Sequence, residues 1–257
     1  MNIRNQEAFV GRLTIPFLLL FLWWGLYLVI RAPAMASPLE TFNEFLNNAG
    51  DWWPHIWVST KIILLSIIII TVAGVAVGTL IGLNSTLFQI FNPIIMAVYS
   101  IPKITVYPIF LLIFGISDSG KIAFTVFHGI FPVIITCMEA VQLVPKTYLK
   151  IANAYELNFY KKIRYIIIPA IMPQIVSGLR LGFSLGILGL ILIEMFASYE
   201  GIGNLLHHYM LLNSVSSILA LFVIACFISL FFAVIFLVWQ ESIERKIGKL
   251  KPAAQKM

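Results

Sequence analysis

The sequence predicts an all-α membrane protein with six transmembrane helices, with the N-terminus and the C-terminus both on the inner side. The first observation is composition: 60% of the 257 residues are hydrophobic and 11% are charged, whereas soluble domains are about 45–50% apolar and about 25% charged. The second is that apolar residues form runs long enough to cross a hydrocarbon core of about 30 Å as helices. The third is where the basic residues fall.

The apolar runs define the predicted spans, which cover residues 13–30, 57–82, 89–115, 122–143, 171–197 and 214–240. Helices are the only spanning structure expected, because the alternating ten-residue pattern of membrane strands is absent. The first run has 18 residues, more than the roughly 7–15 of a signal-peptide core, so we expect it to remain as a span. We predict one transmembrane domain, 13–240, which includes the 144–170 loop, between a cytoplasmic N-terminus, 1–12, and a basic cytoplasmic tail, 241–257.

The placement of Lys and Arg predicts the orientation, because inner loops are enriched in them. Outer loops contain only Arg31 and Lys121. Most of the 17 basic residues instead lie in the N-terminus, the 144–170 loop and the tail: Arg4, Arg12, Lys146, Lys150, Lys161, Lys162, Arg164, Arg245, Lys246, Lys249, Lys251 and Lys256. These three segments are therefore predicted to be cytoplasmic.

The first outer segment, residues 32–56, has a helix-start signal. Ser37-Pro38-Leu39-Glu40 is typical of a capped first turn, which predicts a short surface helix from Thr41 to Asn48. Interfacial aromatic residues are expected to anchor it at the membrane surface: Trp52, Trp53 and Trp57.

Two spans carry a glycine at every fourth position, which lets helices approach closely in lipid. We predict packing seams at these positions: Gly74, Gly78 and Gly82 in the second span, and Gly178, Gly182 and Gly186 in the fifth.

The fifth span also carries two charges, Arg180 and Glu194. At 100° per residue they lie within about 40° of each other and opposite the glycines, but about 21 Å apart along the axis, too far to pair. Charges in a span usually face the protein interior or a wet cavity, so both are candidates for a substrate pathway. The alternatives are a structural contact for Arg180 and exposure at the outer surface for Glu194.

The third span contains three prolines, Pro93, Pro102 and Pro108, and each removes a helical hydrogen bond. Irregular backbone inside a membrane is tolerated where protein or water covers it. We therefore predict a span interrupted three times, with Pro102, Lys103 and Tyr107 as candidate pathway residues. A simple kink is the alternative.

Chemical motifs are absent or incomplete. Gly115 to Lys121 fits the start of a phosphate-binding loop, but Ile122 replaces the required hydroxyl residue and the stretch lies between two predicted spans. The remaining candidates are scattered: His55, His128, His207, His208, Cys137 and Cys226. We therefore expect no enzymatic activity, no metal or cofactor on this chain, and no nucleic-acid partner.

The longest inner loop, within residues 144–173, is predicted to form a helix, a turn, a basic second helix and a proline-marked start of the fifth span. A helix exposed between two spans suits the docking of a soluble partner. A basic amphipathic helix lying on anionic lipid is the alternative, and periodicity alone does not decide between them.

This loop resembles that of the inner-membrane permease family of binding-protein-dependent ABC importers, whose pattern is E-A-A-x-x-x-G-x(9)-I-x-L-P. Aligned on Leu157 and on Ile166 to Pro169, the chain has Ala152 at the glutamate position and Asn158 at the glycine position. Because Asn enters the left-handed region readily, we expect Asn158 to preserve the turn.

Further segments resemble the nitrate/sulfonate/taurine branch of that family. Ser100 to Pro108 and Phe114 to Ile122 are similar to its R-P-x-P-x-x-A-x-x-P…W-F-G-x-G-x-x-S-K stretch. Leu179-Arg180, Glu194 and Gly201 to Leu205 are similar to its L-R…A-E…G-[LI]-G-x-[LM] stretch.

The resemblance implies a multi-pass subunit of the bacterial inner membrane that works as two copies with two cytoplasmic ATPase chains, which bind ATP and magnesium. A helix over 147–157 is then expected to fit a groove on the ATPase. A substrate-binding protein is expected at the outer mouth, near loops 116–121 and 198–213. The implied coupling residues are Ala152, Ala154, Tyr155, Glu156, Leu157 and Asn158.

The substrate classes of the branch are small anions such as nitrate, sulfonates and taurine, and heterocycles such as thiamine-precursor pyrimidines and riboflavin. Lys103 favours an anion. Three other protein classes were weighed: a secondary transporter, a structural membrane subunit without an ATPase, and a membrane enzyme. The absence of convincing internal repeats weighs against a secondary transporter. The broken third span weighs against a structural subunit, and the lack of a catalytic cluster weighs against a membrane enzyme.

Overall fold

The computed structural model describes residues 3–30 and 35–248, with side chains from residue 17 onward except 246 and 247. Within these ranges every regular element is a helix. The residues 31–34 and the part of the predicted basic tail beyond 248 lie outside the described residues.

Ten α-helices follow one another along the described chain. They are α1 (Ile3–Ile30), α2 (Pro38–Leu83), α3 (Ser85–Ser100), α4 (Tyr107–Phe114), α5 (Asp118–Gln142), α6 (Lys146–Ala154), α7 (Phe159–Lys162), α8 (Ile168–Phe196), α9 (Ile202–Leu211) and α10 (Val215–Gly248). A 3₁₀ turn, Lys103–Val106, precedes α4, and a π turn, Ile163–Ile167, joins α7 to α8.

The predicted all-α, multi-pass architecture is confirmed. Four helices are long and apolar enough to cross a membrane: Pro38–Leu83, Asp118–Gln142, Phe159–Phe196 and Val215–Arg245. The pair Ser85–Ser100 and Lys103–Phe114, bent by 86°, makes a fifth if it is one span. The apolar segment Phe17–Ile30 of α1 is shorter.

Helix α2 begins as predicted but ends far beyond the prediction. Ser37 and Glu40 form a reciprocal capping box, in which the backbone N–H of each residue donates to the side chain of the other. The prediction of a separate short helix from Thr41 to Asn48 is wrong, because these residues belong to α2, which is 46 residues long. The reason is tertiary packing at the outer end of α2.

That packing is centred on Trp52. Its indole nitrogen donates to the Tyr209 hydroxyl of α9 at 3.1 Å, and its ring packs with Leu205 and Leu221. Trp52 is 1% exposed and is a core residue, not the predicted surface anchor, whereas Trp53 and Trp57 are exposed.

Helix α5 lies between α2 and α8, and both glycine seams face it, as predicted. A Cβ atom on Gly78 would be 2.6 Å from the carbonyl oxygen of Ile134, and one on Gly182 would be 2.6 Å from that of Gly129. Only a glycine fits at such a separation. Helices α3 and α4 bury none of their residues, so they lie at the periphery of this core.

Candidate functional site

The third span is broken once, not three times. Ile101 is extended at φ −64° and ψ 132°, because the residue before a proline is biased away from the helical region, and the break falls there, at Pro102. Pro108 lies in the first turn of α4, where a missing N–H costs nothing. Pro93 lies inside α3, which continues through it.

Lys103 and Tyr107 lie at this bend. The Lys103 ammonium donates to the Tyr99 carbonyl at 3.1 Å and lies 4.3 Å from the centre of the Tyr99 ring. It has no carboxylate partner among the described residues. The Tyr107 hydroxyl donates to the carbonyl oxygen of Phe196 at 3.0 Å. The bend is therefore tied to the C-terminal end of α8.

Arg180 lies on a polar stripe along one face of α8. Gln174, Ser177, Arg180 and Ser184 follow one another at three- and four-residue spacing, which places them on one side of a helix. Each is half-buried or exposed. The side chains of the first three have no hydrogen-bond or ion-pair partner in the part of the chain that the structure describes. A charge facing lipid at mid-span costs about 2.5–3.5 kcal/mol or more, so the stripe faces water or another protein chain.

Glu194 is fully buried, so the alternative of exposure at the outer surface is wrong. Both of its carboxylate oxygens lie 2.8 Å from the Ser59 hydroxyl of α2, and one accepts from the Gly203 backbone N–H at 3.0 Å. The same Ser59 oxygen accepts from the Ile202 N–H at 2.8 Å. Glu194 therefore clamps the turn before α9 against α2 and α8.

Two further features of this turn explain its sequence. Gly201 has φ 107° and a built Cβ would collide with the Glu194 carboxylate, so glycine is required there. The Gly201 N–H donates to His55 at 3.1 Å. Sequence reasoning missed Ser59 and His55. No local pattern distinguishes a serine or histidine in a long apolar helix that contacts a residue about 140 positions away from one that does not. Sequence reasoning also missed α9 itself.

The incomplete phosphate-binding motif forms helix caps. Gly115, at φ 63°, ends α4, and the Ser117 hydroxyl accepts from the Gly120 N–H at the start of α5. Lys121, 4% exposed, pairs with Asp118 at 2.7 Å. Lys121, the lysine of the motif, is thus engaged in an ion pair within the first turn of α5.

The predicted order of helix, turn and second helix in the inner loop is confirmed, but the turn residue is wrong. Helix α6 ends at Ala154, before the predicted residue 157, and Glu156 takes the left-handed conformation at φ 47°. Asn158, at φ −63°, instead caps α7 through its side chain, which accepts from the Lys161 N–H at 2.9 Å. Counting the nine residues of the family pattern back from Ile166 also reaches Glu156.

Helix α6 presents a largely unburied surface. Ala152 is its one buried residue. Tyr148 and Ile151 are close to half exposed, and Tyr155 is 77% exposed. Ala154 and Glu156 are exposed as well. Exposed aromatic and aliphatic side chains next to basic ones are typical of a surface that binds a protein or a membrane.

The histidines do not form a metal centre in the described part of the chain. No group of three His, Cys, Asp or Glu side chains lies close enough there to hold an ion. His128 is buried beside Phe124, with its Nδ1 3.1 Å from the Phe124 carbonyl oxygen.

Within the described residues, this bundle of long apolar helices has the form of a multi-pass membrane protein. Residues 70–249 match the family described as binding-protein-dependent transport system inner membrane component. The chain belongs to that family, and is therefore a permease subunit of an ABC importer in the inner membrane.

Several relatives are named for anionic substrates. The chain is 25% identical to an aliphatic sulfonates transport permease protein, SsuC, of Bacillus subtilis over 79% of this chain and 75% of that one. It is 26% identical to the taurine transport system permease protein TauC of Escherichia coli, over 78% and 75%. A nitrate import permease protein, NrtB, of Leptolyngbya laminosa is 29% identical, over 60% and 55%. These relatives support the nitrate/sulfonate/taurine branch.

Proposed function

We propose that this permease subunit conducts a small anion along the polar stripe of α8, and that separate ATPase chains drive the movement by binding α6. The observation that carries the proposal is Arg180, a half-buried cation in a membrane-spanning helix with no partner in the described residues. Water or a second protein chain must cover Arg180, and a hydrated substrate pathway would provide that water.

The chemistry of the stripe suits an anion. A guanidinium can bind a carboxylate or another planar anion through two parallel hydrogen bonds, and the amide and hydroxyl groups of Gln174, Ser177 and Ser184 can complete a small polar site. Lys103, at the bend of the peripheral span, is a second cation without an anionic partner among the described residues. The names of the relatives, which include sulfonates, taurine and nitrate, point to the same class of substrate.

The other candidate pathway residues take different roles. Glu194 is engaged by Ser59 and Gly203, so it positions the outer turn and does not contact substrate. Pro102 sets the bend, and Tyr107 ties the bend to α8. We therefore place Lys103 and Arg180, and not Glu194, on the pathway.

Coupling is assigned to α6 and the turn after it. An ATPase that seats Tyr148, Ile151 and Tyr155 in a groove would move α6 when ATP binds. Because the turn leads into the continuous helix Phe159–Phe196, that movement would reach the stripe directly. ATP and magnesium belong to the partner chain in this arrangement.

The topology follows from the same proposal. With α1 and the bent pair each counted as one span, the chain has six spans, with both termini and α6 in the cytoplasm. Two copies would face each other, and a substrate-binding protein would dock at the outer turn before α9. The family relationship favours this importer over a secondary transporter or a purely structural subunit.

The test is to purify the tagged chain in mild detergent and identify what co-purifies by mass spectrometry. We expect an ATPase chain in about a 1:1 ratio, consistent with two copies of each. Tyr148→Asp with Ile151→Asp should remove the ATPase and leave the permease dimer intact. The matched control is Tyr165→Asp, which changes an exposed tyrosine outside α6 and should keep the ATPase.

Recovery of a homo-oligomer without any ATPase would contradict the coupling proposal. Loss of the ATPase in the Tyr165→Asp control as well as in the α6 variant would show that the effect is not specific to α6.

A further inference from the structure

An apolar groove runs between the inner ends of α2, α8 and α10. It has a volume of approximately 490 Å³, and its lining includes Val75 and Ala76 of α2, Met172 and Leu179 of α8, and Trp239 of α10. No charged side chain lines it. From Ile163 to Leu179 it follows about 24 Å of helix axis, which is longer than one leaflet of a hydrocarbon core about 30 Å thick.

One end of this groove is strongly basic. Ile163 lines the groove, and Lys161, Lys162 and Arg164 surround it in sequence. The two lysine ammonium groups have no partner among the described residues, and Arg164 donates to the Tyr160 hydroxyl at 2.9 Å from an exposed position. Unpartnered cations therefore lie within two residues of Ile163, at one end of an uncharged groove.

The nearby acidic side chains of α10 are already engaged. Glu241 pairs with Arg245 at 3.3 Å, and Glu244 accepts from Gln240 at 2.9 Å. These interactions lie within α10 itself, so they leave the cations at this end of the groove unneutralised.

A polar group inside the groove is also unsatisfied. Thr79 is 2% exposed, and its hydroxyl has no hydrogen-bond partner in the described chain. A buried hydroxyl without a partner costs about 1–3 kcal/mol. Thr79 lies one helical turn before α2 ends at Leu83, between the basic end and the apolar remainder of the groove.

We propose that this groove binds one phospholipid with an anionic headgroup. The order of groups along the groove matches the order along such a lipid: cations for the phosphate, the Thr79 hydroxyl, once its side chain rotates toward the groove, for an ester carbonyl, and apolar side chains for an acyl chain. Basic pockets between membrane helices on the cytoplasmic side bind anionic headgroups in general, and Trp239 lies where interfacial aromatic residues are enriched. The inference is independent of the importer role, since it requires only that the chain lies in a bilayer.

The experiment uses the full chain, purified in mild detergent together with whatever subunits accompany it. It is incubated with equal amounts of dioleoyl phosphatidylglycerol and dioleoyl phosphatidylcholine, and the retained lipids are counted by native mass spectrometry. We expect selective retention of phosphatidylglycerol. Lys161→Gln with Lys162→Gln should lower that retention by about fivefold for each lysine removed.

Matched controls separate this site from a general charge effect. Lys146→Gln with Lys150→Gln removes the same charge from α6 and should leave retention unchanged. Ala76→Phe fills the groove without changing any charge and should abolish retention, whereas Val77→Phe, at the exposed neighbouring position, should not.

Two outcomes would overturn the proposal. The first is equal retention of the two lipids. The second is unchanged retention in Ala76→Phe together with a loss of the permease dimer, because the groove would then belong to the contact between two copies. Neither outcome depends on whether an ATPase is present.

Discussion

The Ser59 hydroxyl of α2 lies 2.8 Å from both carboxylate oxygens of Glu194 of α8, although 135 residues separate them in sequence. The backbone N–H of Ile202 donates to Ser59, and that of Gly203 donates to Glu194. The contact between the two side chains therefore fixes the start of α9. One buried carboxylate thus holds this end of the bundle, and in the sequence it is marked only by the motif that it shares with Gly201 to Leu205.

Replacing Glu194 should therefore destabilise the outer turn. Glu194→Ala leaves the Gly203 N–H without its acceptor, and we expect a loss of about 1–3 kcal/mol; Glu194→Gln keeps one acceptor oxygen and should lose less. The midpoint of thermal unfolding in detergent measures both. Glu200→Ala, in the same turn but exposed, should unfold like the parent. An unchanged midpoint in Glu194→Ala would contradict the clamp.

A methyl group in a glycine seam should separate α5 from α8. Gly182→Ala places a Cβ 2.6 Å from the Gly129 carbonyl oxygen, and overpacking of this kind costs about 1–3 kcal/mol. Gly50→Ala is the matched control, since nothing lies within 4 Å of its Cβ position; it should be neutral or stabilising by about 0.5–1 kcal/mol. Thermal unfolding of the two variants, side by side, is the measurement. Equal midpoints would count against the seam.

The turn after α6 should tolerate glycine at position 156 but not a β-branched residue. Glu156 has φ 47°, a region that costs a non-glycine residue about 1–2 kcal/mol. Glu156→Gly should therefore retain the co-purifying ATPase, and Glu156→Val, whose branched side chain is most strained there, should lose it. A variant pair that behaves the other way round would mean that the Glu156 side chain, and not the backbone turn, contacts the ATPase.

Arg180 should determine transport of an anion. With the complete importer in proteoliposomes, Arg180→Gln should lower ATP-driven uptake roughly tenfold or more, because a hydrogen bond to a charged group contributes about 1.5–3 kcal/mol. Arg180→Lys keeps the charge and should recover part of the rate. Uptake is measured with nitrate, taurine and an aliphatic sulfonate in turn. If Arg180→Gln transports all of them at the parent rate, Arg180 is a structural residue.

Lys103 should contribute to the same pathway at the bend. Lys103→Ala removes the cation held over the Tyr99 ring and should weaken uptake of the anion that the importer carries, most clearly at low substrate concentration. Lys61→Ala, which removes an exposed cation from α2, away from α6 and the stripe, is the control for the change in net charge. Unchanged uptake by Lys103→Ala at every concentration would remove Lys103 from the pathway.

Much of the fold was predictable from local patterns. Apolar runs identified the long helices, because a backbone in lipid must satisfy its own hydrogen bonds. The four-residue glycine spacing identified two packing seams, because i and i+4 residues share a helix face. The Ser37 to Glu40 cap was also correct, since a capping box involves only four consecutive residues.

The errors arose where distant residues decide the outcome. Trp52 looked like a surface anchor, but Tyr209 and Leu221 bury it and thereby extend α2 through the predicted loop. Of the three prolines in the third span, Pro102 follows the end of α3, Pro108 falls in the first turn of α4, and Pro93 is accommodated inside α3. The left-handed turn fell at Glu156 and not at Asn158, as the nine-residue spacing of the family pattern counted back from Ile166 requires, so this error lay in the alignment and not in the packing.

The sequence by itself determined that this chain is helical, lies in a membrane and belongs among importer permeases, because hydropathy, charge placement and motif spacing are local properties. Tertiary structure alone decided that Glu194 is a buried clamp while Arg180 stays unpaired, although both are charged residues on one helix. The physical reason is that the partners of a buried charge come from other helices: Ser59 and the turn before α9 reach Glu194, and no described side chain reaches Arg180.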